Sequence, residues 1–566
     1  MAWADDKRLA WVVLVCAMSI AAALILWLGR GMTFWGDELA VLMASPHLTL
    51  SEALRPHDGH LALTARVVYK AFFEAFGTAY LPFRLLTVGA TLSTVALLFA
   101  YASRRVGPWV ALAPSVVLLA FGSDSLHVLV GNGFAVLLSI TCGLGALLAL
   151  ERGDRRGDVA ACALLCLGAA TYTVALAFVV GAAIAIVLGD DRWRRIWVVG
   201  VPVALYAAWW LWTLHLGASS ESQVSLLNVL VTPAWGFQTL SEVLGALSGL
   251  DYPFSGPTNP PLSQAGPTLA LLAFVGFGLR LWWRPVPAAL WTSAGVILAL
   301  WLMGALTADP SGRSPSDTRY LYSGAVVVLL VGANAVAGLR WSKGAVVAIY
   351  VTAAAGLGAN LTVLQDTATD LRGVYAVQTR AAFTGLDLAG RRTAADFVPP
   401  APIGIELPLL GPQSPLGFAF GALAAGKSAS QAYLDAAERY GPLGFSVQQL
   451  REQAEPARAQ ADSVLIAALS LKLMPASGAV GGADCKLTRP GFAHGYAARL
   501  PRGGALLRAE APGTEVQVRR FASTTAFGVG TLKPGQVAVL RVPSDRVPAP
   551  WWVYSPESRL TVCALR

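Results

Sequence analysis

The sequence predicts a polytopic α-helical membrane protein of about eleven spans, followed by an extracytoplasmic C-terminal region ending in a β-sandwich-like module. Three observations predict it. Of 566 residues, 55% are hydrophobic and only 13% charged, too apolar for a soluble chain of this size. Apolar runs close to the ~20 residues that a bilayer requires recur through the first 364 positions. Lysine and arginine gather in alternate connections between those runs, the bias that sets membrane orientation. The mean hydropathy of +0.57 points the same way.

Spans are expected at about 9–29, 81–103, 107–122, 128–150, 158–173, 174–189, 196–216, 267–283, 286–306, 320–339 and 344–364. The tract 158–189 reads as one long tilted helix or as a hairpin. Arg155 and Arg156 precede it and Arg192, Arg194 and Arg195 follow it, and both clusters share a side only if the chain turns near Tyr172. With that turn, Lys7/Arg8, Arg104/Arg105, Arg152, Arg280/Arg284 and Arg340/Lys343 all fall in the cytoplasm. The N-terminus is then cytoplasmic and everything after about 365 is outside the plasma membrane. The first span is too long in its apolar core for a cleavable signal peptide and lacks a small-residue cleavage site. The net charge of +9 is mostly this topological arginine; no basic soluble face with interleaved aromatics suggests nucleic acid.

Three regions follow: 1–364 in the membrane, 365–484 mixed α/β or linker, and 485–566 rich in strands. Two outer loops are long, 30–80 and 217–266, the second rich in Pro, Ser and Gly around Tyr252. Within the first, Leu61, Leu63, Val67, Val68, Ala71, Phe72, Ala75 and Phe76 recur at helical spacing with Arg66, Lys70 and Glu74 between them. That pattern predicts an amphipathic interfacial helix, equally a helix packed on the bundle. A helical stretch is expected at about 428–458. Runs such as Val516-Gln517-Val518 and Val537 to Val542, broken by Gly and Pro, predict the β-module. Cys16, Cys142, Cys162 and Cys166 lie inside spans; Cys485 and Cys563 bracket the β-module, as a disulfide or as two buried thiols.

The chemistry gathers on the outer rim. Phe34-Trp35-Gly36-Asp37-Glu38 places two carboxylates just past the first span, where charge is costly to keep without a use. A carboxylate in a partly desolvated cleft can take a proton from a hydroxyl, which suits Asp37; the plainer alternative is a helix cap. Glu38 orients its neighbour or pairs with a basic group. Pro56-His57-Asp58-Gly59-His60 offers a second acid, Asp58, which otherwise is only a turn residue before Gly59. Arg313 and the pair Arg319-Tyr320 precede the tenth span and can hold a lipid phosphate at headgroup depth; a snorkelling arginine is the alternative. His57, His60 and His127 are expected to line the site. His57-x-x-His60 with Asp58 lacks the further ligand of a recognised metal spacing, so no metal or other cofactor is expected.

On these residues the chain resembles the GT-C glycosyltransferases. A Gly-Asp-Glu tripeptide after the first span, a first-loop interfacial helix and an Arg-Tyr before a late span are similar to the protein O-mannosyltransferases, the aminoarabinose transferases of lipid A and the actinobacterial arabinofuranosyltransferases. The likeness covers roughly 1–364. It implies a polyprenyl-phosphate sugar donor, a glycan, lipid or protein acceptor, and inversion in a single displacement. It places the base at Asp37, a second acid at Asp58 and the phosphate-binding residue at Arg319. Tyr320, Arg66, Lys70 and Arg84 are the expected helpers. Where many relatives carry an arginine-aromatic motif after the third span, this chain reads Gly131-Asn132-Gly133-Phe134. Two other classes fit an apolar chain of this length. A transporter or flippase would show repeated halves and mid-membrane charge, which the spans lack. A non-catalytic member could bind glycan on Trp551, Trp552 and Tyr554, residues that otherwise pack strands.

Overall fold

The computed structural model describes residues 7–34, 38, 41–42, 45, 48–57, 59–77, 79–215, 225–250, 265–308, 313–394, 455–476, 484–491, 495–511, 513–545 and 547–565. Their contacts divide the chain into two units, Met1–Arg372 and Gly373–Arg566.

The first unit is helical throughout. Helix α1 (Lys7–Leu28) leads into the first loop, which carries α2 (Leu63–Phe76). Then come α3 (Tyr80–Val106), α4 (Pro108–Leu119), α5 (Gly133–Leu150), α6 (Arg155–Thr171), α7 (Val174–Val187) and α8 (Trp197–His215). The series closes with α9 (Thr232–Ser248), α10 (Gly266–Trp283), α11 (Ala288–Leu306), α12 (Leu321–Ala335) and α13 (Lys343–Asp370). Among the described residues seven helices are long and apolar enough to cross a membrane: α1, α3, α5, α8 with its preceding turn, α10, α11 and α13. Helix α4, with the turns at 122–129, bends by 42° and makes an eighth candidate. Helices α6, α7 and α12 occupy other apolar runs but are shorter, at 17, 14 and 15 residues. This is a membrane protein.

Sequence logic explains the breaks. Asp154 caps α6 by accepting from the Gly157 N–H at 2.7 Å. Tyr172 is extended, ends α6, and lets α7 return beside it. Polar ties close the end of the bundle that carries the basic connections. Arg104 and Arg105 both pair with Glu151, Arg105 also reaches the Asn334 Oδ1 at 2.6 Å, and Arg195 pairs with Asp158 at 2.6 Å. Helix α3 holds Arg104 and Arg105 in its last turn and Tyr80 in its first, so the two ends stand roughly 40 Å apart.

The 217–266 loop is not irregular throughout. Residues 232–248 form α9, started at Thr232-Pro233 and ended by Gly249 in the left-handed region at φ +71. Trp235, Leu240, Val243 and Ala246 are buried on it, and the helix packs against α11, α12 and α13. Its Ser241 and Glu242 hide the apolar periodicity from a hydropathy reading. Helix α2 buries Ala65, Tyr69 and Phe73, a face other than the expected apolar one, and leaves Val67 and Phe76 about half exposed. It therefore packs on the bundle with one face and presents apolar groups on the other.

In the second unit α14 (Ala376–Ala389) packs against α15 (Glu455–Ala468). Of the stretch expected to be helical at 428–458, residues up to 454 lie outside the described ones. Strands β1 (Met474–Pro475), β2 (Cys485–Leu487), β3 (Arg489–Pro490), β4 (Tyr496–Arg499) and β5 (Gly504–Ala509) follow. They are joined by β6 (Thr514–Arg519), β7 (Phe527–Leu532), β8 (Val537–Arg541), β9 (Trp552–Ser555) and β10 (Leu560–Ala564). They make two five-stranded sheets, ordered β1-β8-β5-β10-β2 and β3-β4-β9-β6-β7, with antiparallel pairs. Burial alternates along β6, where Thr514, Val516 and Val518 are covered. Cys485 and Cys563 stand opposite each other in the β2–β10 ladder and are joined by a disulfide.

Two carboxylates of α15, seven residues apart and so on one face, hold the loop after β6. Asp462, fully buried, accepts from the backbone N–H of Arg520, Phe521 and Ala522 at 2.9 to 3.0 Å. Glu455 accepts from the N–H groups of Ser523, Thr524 and Thr525 and from two hydroxyls.

Candidate active site

Of the first-loop carboxylates, Glu38 is described, whereas Asp37 and Asp58 lie outside the described residues. Glu38 is 1% exposed. Its Oε1 accepts from the Tyr69 hydroxyl at 2.7 Å and from the Asn132 backbone N–H at 2.8 Å. Its Oε2 accepts from the Tyr80 hydroxyl at 2.8 Å, and the Gly131 N–H donates to that same phenol oxygen at 2.9 Å. Burial pushes the Tyr69 phenol well above its usual range, with the Glu38 charge adding to it, so the phenol stays a donor. Both oxygens of Glu38 are thus engaged by groups of α2, α3 and the segment before α5. Glu38 thereby anchors the first loop, in keeping with a carboxylate that orients its neighbour.

Gly131 makes this possible. A Cβ there would stand 2.5 Å from the Glu38 Oε1 and 3.2 Å from the Tyr69 hydroxyl. The glycine at 131 therefore has a local reason. Gly131→Ala is expected to destabilise the protein by about 1–3 kcal/mol. Thermal unfolding in detergent checks this against Gly332→Ala, where an added Cβ meets nothing within 4 Å and no loss is expected.

Arg84 is 3% exposed, and its guanidinium donates to the carbonyls of Ile25, Leu26 and Leu129 at 2.6, 3.3 and 3.1 Å. It closes the C-terminal end of α1, where orphan carbonyls attract a cation. Arg66 donates to the carbonyls of Glu52 and Arg55, both at 2.6 Å, and so fixes the turn Leu50–Ala53 within the first loop. Lys70 pairs with Glu74 at 3.0 Å, a half-exposed ion pair of little energetic weight.

His57 and His60 exchange backbone hydrogen bonds at 3.0 and 2.8 Å. The His60 Nδ1 meets the Thr173 hydroxyl at 2.9 Å, and its ring lies 4.4 Å from that of Tyr172. The first loop thereby touches the α6–α7 turn. Among the described residues no group of three His, Cys, Asp or Glu side chains could hold a metal ion.

Arg319 sits half exposed in the turn Thr318–Tyr320 and pairs with Asp317 at 2.9 Å. Tyr320 packs edge-on against Trp235 at 5.8 Å. Burial raises the Tyr320 phenol, while the Arg319 and Arg313 charges pull the other way. Tyr172 is near enough to act electrostatically on Arg319. One residue went unread in the sequence. Asp124, fully buried, accepts from the His127 Nδ1 on both oxygens at 2.8 and 2.9 Å and from the Tyr322 backbone N–H at 3.0 Å.

The segment 122–133 is the common scaffold. Near its C-terminal end it receives Glu38 of the first loop; near its N-terminal end it grips the start of α12, two residues beyond Tyr320. It is itself pinned to α13, where the Asn360 Oδ1 accepts from the Ser123 N–H and hydroxyl at 3.0 and 2.9 Å. At Gly122 a Cβ would fall 1.9 Å from the Asn360 carbonyl.

No family model matches the chain, and no curated protein matches it. Among solved structures it is similar to ArnT from Cupriavidus metallidurans bound to undecaprenyl phosphate, at 13% identity and a TM-score of 0.40 over 73% of this chain and 88% of that one. It is similar to the apo state of the same protein at 12% identity and a TM-score of 0.41, over 74% and 89% of the two chains.

Proposed function

We propose that the chain is a membrane glycosyltransferase that moves a sugar from a polyprenyl-phosphate donor to an acceptor hydroxyl of a glycan, lipid or protein. In this reading about eleven helices span the plasma membrane, the N-terminus is cytoplasmic and the second unit is extracytoplasmic. Asp37 takes the acceptor proton as the hydroxyl attacks the anomeric carbon, with inversion. The leaving phosphate gains negative charge as the bond breaks and needs stabilisation. Arg319 supplies it, with Tyr320 as a further donor.

The observation that carries the reading is the 122–133 scaffold. It ties the carboxylate-bearing first loop and the arginine-bearing turn before α12 to one frame. An acceptor-activating base and a phosphate anchor must share such a frame, because reacting groups held in register account for much of the rate. Glu38 serves this arrangement by fixing the first loop at the position next to Asp37 in the sequence. The test is incubation of protein in proteoliposomes with a panel of radiolabelled polyprenyl-phosphate sugars. Acceptor-dependent consumption of one of them is expected. Consumption of none, with acceptors of all three classes present, overturns the reading.

A further inference from the structure

We infer that Asp124 and His127 form a second proton-handling pair, directed at the phosphate of the lipid carrier; this rests on the glycosyltransferase reading above. Several features favour it over a histidine that merely satisfies a buried acid. The Asp124 carboxylate is fully buried, and it holds the His127 Nδ1 with both oxygens, so among the described residues the Nε2 is the pole of the ring left for a ligand. His127 itself keeps an exposed portion, with 16% of its side chain accessible. The turn that carries it, Ser125–Leu129, packs against the turn Thr318–Tyr320 that carries Arg319.

The frame behind the pair is rigid. Asp124 also accepts the Tyr322 N–H, and Ser123 and Ser125 bond to Asn360 and Thr367 of α13. A carboxylate that orients an imidazole and stabilises its charged form is the arrangement that makes histidine an effective acid or base. The charged and titratable groups on the elements packed against this turn are few. They are Asp124 beside it, Arg319 and Tyr320 on the Thr318–Tyr320 turn, Tyr80 and Arg84 on the near part of α3, and Asp366 and Asp370 near the end of α13. Helix α5 contributes none in its near half.

Transfer releases a phosphate monoester from a phosphodiester, so one further negative charge develops on the carrier. The acceptor oxygen forms its bond to the anomeric carbon and gives its proton to Asp37. The bond from that carbon to the phosphate oxygen breaks, and its electron pair stays on the oxygen. The His127 imidazolium passes its Nε2 proton to that oxygen, so polyprenyl phosphate leaves as the monoanion. The proton on Asp37 goes to water, and water returns one to His127. His127 is thus a catalytic residue and Asp124 its positioning residue.

The experiment compares wild-type protein, His127→Gln, Asp124→Asn and the double variant in proteoliposomes. Two readouts are taken: sugar transfer, and binding of undecaprenyl phosphate alone. His127→Gln is expected to lose roughly tenfold to a hundredfold in kcat while carrier binding stays near the wild-type value. Asp124→Asn, which acts only through the imidazole, is expected to lower kcat with the donor KM unchanged and to add nothing to the loss when combined with His127→Gln. Wild-type kcat in His127→Gln overturns the proposal while leaving the glycosyltransferase reading intact. A wild type that neither transfers sugar nor binds the carrier overturns both.

Discussion

Replacing Asp37 by asparagine is expected to lower sugar transfer by about 10²–10⁴ while leaving donor binding nearly unchanged. The asymmetry between the two readouts is the substance of the prediction. A general base acts on the proton that leaves as the transition state forms, so its loss appears in kcat rather than in affinity. Asparagine keeps the size and one acceptor oxygen, so any hydrogen bond of a mere capping role is largely retained. Wild-type turnover in this variant would exclude the role. Loss of donor binding in parallel with turnover would recast Asp37 as a binding residue.

The second large effect belongs to the other unit. Asp462→Ala leaves the N–H groups of Arg520, Phe521 and Ala522 without their acceptor in a buried place. Each orphaned donor costs about 1–3 kcal/mol, and partial relaxation brings the expected total to roughly 3–5 kcal/mol. Hydrogen exchange in the full-length protein checks it, with the amides of 520–525 losing protection first. Glu455 and Asp462 also give this contact a pH signature of two opposite signs. Burial pushes Asp462 up to about 6 from 3.8 against its backbone donors. Its contribution is therefore present below about 4 and lost as pH rises through 6. Glu455 is pulled down to about 2 from 4.5, burial opposing and the Thr524 and Ser523 groups prevailing. Its contribution is present above about 4.5 and lost as pH falls through 2, and exposure limits it to about 1 kcal/mol. Asp462→Asn should flatten the upper slope only, and Glu455→Gln the lower one only.

What the sequence made legible follows from how local each signal is. Apolar runs, the turn at Tyr172 and the alternating strands each depend on neighbours within one element, and the two cysteines stand out by bracketing the β-module. Helix α9 was hidden because Ser241 and Glu242 interrupt its apolar face, while the partners that pack on it lie on α10 to α13. β1 was missed because two residues carry no periodicity. The site shows the same division. Asp37, Arg319 and the histidines stand out as ionisable groups at the ends of apolar runs. The anchoring role of Glu38 does not, since its partners sit 31, 42 and 94 residues away. Arg84 looked like a free cation in the sequence because nothing local marks the carbonyls of Ile25 and Leu129 as its targets. Asp124 is three residues from His127, at helical spacing, and that proximity was the one available cue.

A single labelling measurement reaches the core of the reading. Asp37→Cys and Arg319→Cys are made separately, and a membrane-impermeant thiol reagent is applied to the outer face of sealed spheroplasts, with and without added undecaprenyl phosphate. Both cysteines are expected to react from outside, and the phosphate lipid is expected to shield both. Reaction from opposite faces, or shielding of neither position, would contradict a shared extracytoplasmic site for base and anchor.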